Sequence, residues 1–195
     1  MKSTKLSLLL LIIISHQTVS AQNITDFKLT NAVDNKEVSL IDFADAKAVV
    51  VVFTSNYCPY SKLYEDRIAE FHEQYAKKGV RIILINPNDP TKSANDSMER
   101  MAKKSTDNNF KYPYLADGNQ KVTKLFGARK TPEVFILKKS GTQFKILYHG
   151  AIDDNPQVPQ DVSNHYVTEA LDEILSGKSV TTKTTRPTGC IIKKR

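Results

Sequence analysis

Along the chain, continuous blocks of aliphatic and β-branched residues alternate with segments whose apolar positions recur every three or four residues. Residues 48–53 and 80–85 are blocks of the first kind. Runs of that length and composition suit strands covered on both faces. Between them, Leu63, Ile68, Phe71 and Tyr75 fall at helical spacing, with Glu65, Asp66, Arg67 and Lys77 on the other faces. Gly79 follows as a helix stop. This is a βαβ unit, which implies parallel strands and a right-handed crossover. Further along, the pattern predicts a helix over 96–104, an extended piece over 112–115 and a short helix over 122–126 before Gly127. Residues 133–137 and 144–148 flank Ser140 and Gly141, which predicts a hairpin turning at 139–142. A last amphipathic helix over 162–175 carries Val167, Ala170, Leu171 and Ile174 on one face and ends at Gly177. An extra strand or hairpin fits residues 27–39. The fold class is α/β: a mixed central sheet flanked by helices, its last two strands antiparallel.

The two ends of the chain stand apart from this pattern. Residues 1–21 have Lys2 and Lys5 ahead of an unbroken apolar run over 8–14, and then Val19, Ser20 and Ala21 as a small-residue cleavage pattern. Those features predict a secretory signal peptide and a mature chain from Gln22. The run is far shorter than the roughly 20 residues of a membrane-spanning helix, and no later segment is long enough either. Residues 22–177 then form one domain, exported to a periplasmic or extracellular space. Residues 178–195 are polar, Thr-rich and basic, and predict a flexible C-terminal tail. At 195 residues and 40% hydrophobic content the chain can bury a core without staples. Losing Lys2 and Lys5 lowers the formal charge from +7 to +5. Much of the remaining excess lies in the tail, so there is no concentrated basic face for a nucleic-acid partner.

Candidate chemistry centres on two cysteines, Cys58 and Cys190. No Cys/His spacing fits a metal site, and the pattern calls for no cofactor. Cys58 follows the first buried strand, where sites gather in α/β sheets. Pro59 suits a first helical turn, because its missing N–H would be unpaired there anyway. The positive end of the helix dipole then points at the Cys58 sulfur, favouring thiolate, the nucleophilic form. Near the thiol, Tyr57 and Tyr60 are either access-shaping or plain surface aromatics, and Lys62 is either a charge partner or a solvated lysine. Asp153 and Asp154 fit a turn before Pro156 better than a metal site.

Seven pieces, in order, carry a family resemblance: residues 54–60, 86–90, 112–117, 126–128, Thr131 with Pro132, 150–156, and 188–190 with 191–193. Together they resemble the thioredoxin-like superfamily, in particular the peroxiredoxin-like branch of the AhpC/TSA (redoxin) family, over about Ile24 to Lys193. The resemblance implies a thioredoxin-like fold. It implies that Cys58, Pro59, Tyr60 and Ser61 occupy the place of a Cys-X-X-Cys site, and that Pro132 is a cis-proline facing the reactive sulfur. Thr131 and Pro132 then line, with Pro59, Tyr60 and Ser61, a groove for a partner's peptide or a small thiol. The chain departs from the family patterns at Ser61, where thioredoxins have a second cysteine. It departs again at Val52, where they keep a buried acid, and at Val51, where a peroxiredoxin has Pro.

Three roles stand open for Cys190: resolving a sulfenic acid or mixed disulfide on Cys58, half of a static disulfide, or an incidental tail cysteine. A separation of 132 residues does not forbid pairing, because loop-closure entropy grows only logarithmically. The functional reading is an exported thiol-dependent oxidoreductase acting through Cys58. Its partners are a disulfide-bearing protein, a small thiol or a peroxide. The alternative is a redox-inactive binding module using the Cys58/Pro132 groove, or a trap for client thiols. Nothing in the pattern specifies an oligomeric state.

Overall fold

A computed structural model describes residues 23–193. The predicted signal peptide over 1–21 lies outside the described residues. In chain order the elements are strands β1 (Asn23–Ile24), β2 (Lys28–Asn31), β3 (Glu37–Ser39) and β4 (Ala48–Phe53), helices α1 (Pro59–Leu63) and α2 (Glu65–Tyr75), and strand β5 (Val80–Asn86). Then come α3 (Met98–Asp107), β6 (Tyr114–Ala116), α4 (Lys121–Phe126), β7 (Lys130–Thr131), β8 (Glu133–Ser140), β9 (Gln143–Gly150), α5 (Tyr166–Leu175) and β10 (Cys190–Ile191). Eight strands form one mixed sheet in the order β1-β9-β8-β4-β5-β6-β2-β3, and β10 pairs with β7 in a separate small sheet. β4, β5 and β6 run parallel, while β8 is antiparallel to β4 and β9 is antiparallel to β8. The thioredoxin-like α/β architecture expected from the sequence is therefore present.

β4 sits at the centre, and all six of its residues are buried. Successive side chains alternate between the two faces. Val50 and Val52 join Ile82, Leu84, Ile136 and Tyr148 under α2, α3 and α5, with Ile68, Tyr75, Met101, Leu171 and Ile174 supplied from above. Val49, Val51 and Phe53 face the opposite layer with Ile83, Ile85, Phe135 and Leu137. That layer is closed by Phe126 of α4 and by Ile24, Phe27, Leu29 and Leu40 from the N-terminal segment. Phe53, Phe126 and Phe135 meet edge-to-face there, with ring centroids 5.1 to 5.6 Å apart. Continuous apolar runs are what a strand buried on both faces requires, and so periodicity read this core directly.

Element boundaries differ from the predicted ones where local polar chemistry intervenes. The helix predicted over 96–104 begins at Met98, because Ser97 caps it by accepting the Arg100 amide at 3.3 Å. The last helix begins at Tyr166 rather than 162, since 159–161 form a separate tight turn behind Pro159. The first helix is divided at Tyr64 into α1 and α2. Gly79 ends the turn before β5 at φ 93°, where a side chain would be strained.

The largest difference concerns the tail. Composition predicts a flexible segment from residue 178, but residues 178–193 follow a defined path across the domain. Lys178 N donates to Glu173 O at 2.8 Å, and both Thr181 N and its hydroxyl reach the Glu173 carboxylate. His149 N then donates to Lys183 O, and Thr185 N to His149 O, at 3.0 and 3.1 Å. Those bonds dock the tail on the open end of β9. The Thr185 hydroxyl meets the Tyr148 phenol at 2.6 Å and accepts the Ala151 amide at 2.9 Å. Burial holds the Tyr148 phenol well above its ordinary range, so it remains a donor to Ala151 O. Gly150 lies against Thr185, where a Cβ would overlap the tail. The strap ends with β10, and Lys193 O accepts from Gln120 Nε2 at 2.6 Å. Backbone groups supply most of these bonds, which is why composition gave no sign of the path.

Candidate active site

The loop from β4 to α1 presents Cys58 as the residue preceding Pro59, which occupies the first position of α1. Ser55 Oγ accepts the Cys58 amide at 3.1 Å, and Ser61 Oγ lies 3.4 Å from the Ser55 amide as its acceptor. The two serine hydroxyls thus fold the loop onto the helix start. Asn56 is fastened from below by Asp96, whose Oδ1 accepts both the Asn56 amide and Asn86 Nδ2 at 2.8 Å. Asp96 Oδ2 accepts from Asn88 Nδ2 at 2.9 Å and from Ser93 Oγ at 2.6 Å. The Tyr114 hydroxyl donates to Asn56 Oδ1 at 2.9 Å; burial, then the Asp96 charge, raises that phenol well above its ordinary value. A buried carboxylate with four donors is a satisfied anchor.

On the other side of Cys58 lies the Thr131–Pro132 peptide, which is cis. Cys58 Sγ is 2.9 Å from the Thr131 carbonyl oxygen. Glu133 Oε2 accepts the amides of Arg129 and Lys130 at 2.8 and 2.9 Å, which shapes the turn ahead of Pro132. β10 lies antiparallel on β7, with Cys190 opposite Thr131 and Ile191 opposite Lys130. Ile192 N donates to Arg129 O at 2.9 Å and extends the pairing. Gly189 permits the approach, because a Cβ there would overlap the Thr131 carbonyl. The result is a disulfide between Cys58 and Cys190, with their Cα atoms 6.0 Å apart. The sulfur of Cys58 in this state carries no proton, so its approach to Thr131 O is a contact and not a hydrogen bond.

A reactive thiol at a helix start calls for an accessible sulfur. Cys58 is only 3% exposed, and the strap supplies its cover. Beside the disulfide opens a cleft of about 360 Å³, lined by Cys58, Cys190, Thr131, Tyr57, Asp96 and Lys92, among others. Tyr57 stands at its rim, 68% exposed. Of the predicted groove residues, Thr131 lines this cleft. Pro132 is buried beside the disulfide, and Pro59 and Tyr60 lie on the helix side. Ser61 is buried, and its hydroxyl is turned to the Ser55 amide. Asp153 makes the expected turn, accepting the Asn155 amide at 3.1 Å, and is also a buried ion-pair partner of Arg67 that accepts the Tyr64 hydroxyl at 2.7 Å. Burial, reinforced by Asp153, pushes the Tyr64 phenol up, so it stays a donor. Among the described residues no group of three or more His, Cys, Asp or Glu side chains is placed to hold a metal ion. No helix among them is long and apolar enough to cross a membrane.

Two residues escaped sequence reasoning. Asp96 was placed within a predicted helix, and its donors come from positions 56, 86, 88 and 93, which no local pattern connects. Gly189 lies within the matching piece 188–190. Its place directly before Cys190 was the available signal for close backbone approach.

A central α/β sheet, a cysteine at a helix start and a cis-proline beside its sulfur define a thioredoxin-like protein. Within that class the redoxin family model matches residues 20–166, three quarters of the sequence, and the chain belongs to the redoxin family. An uncharacterised conserved protein of Geobacillus kaustophilus is 33% identical, with a TM-score of 0.82 over 90% of this chain and 92% of that one. A hypothetical protein of Sinorhizobium meliloti is 32% identical, with a TM-score of 0.82 over 90% and 94%. The thiol-disulfide oxidoreductase ResA of Geobacillus thermodenitrificans is 25% identical over 122 residues. That match covers 63% of this chain and 65% of the relative, so the chain spans less than two thirds of that curated protein.

Proposed function

We propose that this redoxin is an exported thiol-disulfide oxidoreductase in which Cys58 is the attacking thiol and Cys190 the resolving one. The observation that carries the reading is the Cys58–Cys190 disulfide, formed at the start of a helix and beside the Thr131–Pro132 turn. Similarity to a thiol-disulfide oxidoreductase supports it.

In the reduced protein the Cys58 thiolate attacks a substrate disulfide. One substrate sulfur bonds to Cys58 and the other leaves as a thiolate. The Cys190 thiolate then attacks the Cys58 sulfur, expels the second substrate thiol and leaves the internal disulfide. With a peroxide the thiolate takes the terminal oxygen, the O–O bond breaks and an alcohol or water departs. Cys190 then condenses with the sulfenic acid and releases water. Either cycle needs an external dithiol, or two small thiols, to return the protein to its reduced form. Ser61 does not enter the chemistry: its hydroxyl braces the loop, and Cys190 supplies the second sulfur that a Cys-X-X-Cys site would hold nearby. Thr131 and the cis Pro132 form the wall against which the partner lies. A cysteine pair that forms a disulfide suits an oxidising compartment, which agrees with the leader-like residues 1–21.

The test compares wild type, Cys58→Ser and Cys190→Ser in disulfide reduction and in peroxide consumption with a thiol regenerating system. Cys58→Ser is expected to abolish both, and Cys190→Ser to accumulate a mixed disulfide or sulfenic acid on Cys58. Equal, negligible rates for wild type and Cys58→Ser would remove the proposal and leave a redox-inactive binding module. Sequencing the N-terminus of the protein from an exporting host tests the leader, with Gln22 as the expected first residue.

A further inference from the structure

The two cysteines of the disulfide differ in exposure, although both line the same cleft. Cys58 is 3% exposed; its sulfur rests against the Thr131 carbonyl, with Gly189 and Cys190 laid across that carbonyl. Cys190 is partly exposed where Cys58 is not, and it lines the open cleft with Cys58 and the well-exposed Ile191 and Tyr57. A thiolate breaks a disulfide by bonding to one sulfur and displacing the other, so which sulfur it can reach decides the outcome.

We infer that the reductant of the oxidised protein attacks Cys190, through the cleft beside Tyr57, and that Cys58 is the leaving group. The inference rests on the function proposed above and assigns the side from which electrons enter. A small thiolate bonds to Cys190 Sγ, the Cys58–Cys190 bond breaks, and its electron pair stays on Cys58 as thiolate. A second small thiolate then attacks the adduct sulfur, frees Cys190 as a thiolate and leaves as the small-molecule disulfide. Two thiols are oxidised and one protein disulfide is reduced. Cleft size selects the reductant: about 360 Å³ admits a low-molecular-weight thiol, or a cysteine on a protruding loop. Capture of Cys190 leaves the strap held at this end by β10 and the flanking Ile192 and Lys193 bonds. Cys58 then stands as a free thiolate, and outward movement of the untied strap opens it to an oxidised substrate, so reductant and substrate use different cysteines.

The test treats the oxidised full-length mature chain with glutathione for short intervals, quenches with acid and maleimide, and maps both cysteine peptides by mass spectrometry. The earliest samples are expected to hold glutathione on Cys190 and maleimide on Cys58, in about tenfold excess over the reverse pattern. An adduct mainly on Cys58, or shared equally at the earliest times, would overturn the inference while leaving Cys58-dependent turnover in place. Gly189→Ala, which pushes β10 away from Thr131, is expected to shift the adduct toward Cys58. An unchanged ratio in that variant would show that cover by the strap does not set the choice, and the inference would fall. Failure of the function itself reads differently, as a wild-type rate no higher than that of Cys58→Ser.

Discussion

The two segments that bring the sulfurs together are built by opposite means. The loop before Cys58 is anchored from inside: Asp96 holds Asn56, Asn86, Asn88 and Ser93, and Ser55 and Ser61 bind the loop to α1. The strap carrying Cys190 is anchored mostly by backbone bonds to β9 and β7 and by exposed side chains such as Thr181, with Val180, Ile192 and the Thr185–Tyr148 contact as its buried points. Buried hydrogen bonds to a charge are costly to break, because the partners left behind cannot reach water. Exposed backbone bonds are replaced by water at little cost. The difference teaches that one sulfur is held in place while the other can depart and return.

Disturbing the inner anchor is expected to have the largest effect. Asp96→Ala leaves the Asn56 amide and Asn86 Nδ2 without their acceptor, and unfolding free energy should fall by about 4 kcal/mol. Urea unfolding of the oxidised protein checks this, and a loss under 1 kcal/mol would contradict the role given to Asp96. Next comes removal of the covalent link. Cys190→Ser is expected to cost about 2–4 kcal/mol through the unfolded chain. It should also open the strap to trypsin at Lys178 and Lys183 while residues 23–177 stay protected. A strap equally resistant in that variant would mean that its non-covalent bonds suffice. Gly189→Ala comes third, since the new methyl overlaps Thr131 O. About 1 kcal/mol is expected, together with slower closure of the disulfide, read by the slower loss of maleimide-labelled Cys58 during reoxidation.

The smallest effect concerns acid. The Thr181 hydroxyl, then the Thr181 amide, then Lys178 hold the Glu173 carboxyl below its ordinary value of 4.5. A carboxyl lowered in the folded state contributes fully above that ordinary value, and the contribution is lost as pH falls through the lowered one. The first tether of the strap should therefore be unchanged from neutral pH down to about pH 5 and loosen only below the ordinary range. The Thr181 amide resonance followed through an acid titration measures this. A midpoint above 4.5 would contradict the assignment.

Much of the fold was legible because its determinants are local. The all-buried β4, the αL glycine at Gly79 and the β8–β9 hairpin each follow from a few adjacent residues. Cys58 was legible in the same way, since Pro59 marks the helix start. The strap was not, because Thr and Lys side chains say nothing of backbone groups that find an unfilled sheet edge. Burial of Cys58 was missed for the same reason: its cover comes from 132 positions away. Asp96 escaped because a carboxylate's partners, unlike a strand's, leave no period in the sequence.

The docking of Lys183 and Thr185 on His149 has one more consequence. β1 occupies the outer side of β9 at Phe144 and Lys145, and the strap occupies it again at His149, so the two ends of the chain share one border of the sheet. An uncovered border of this kind recruits other strands. A chain cut short before residue 178 thus exposes a growth point for polymers, and colloidal stability becomes a property of the last fifteen or so residues.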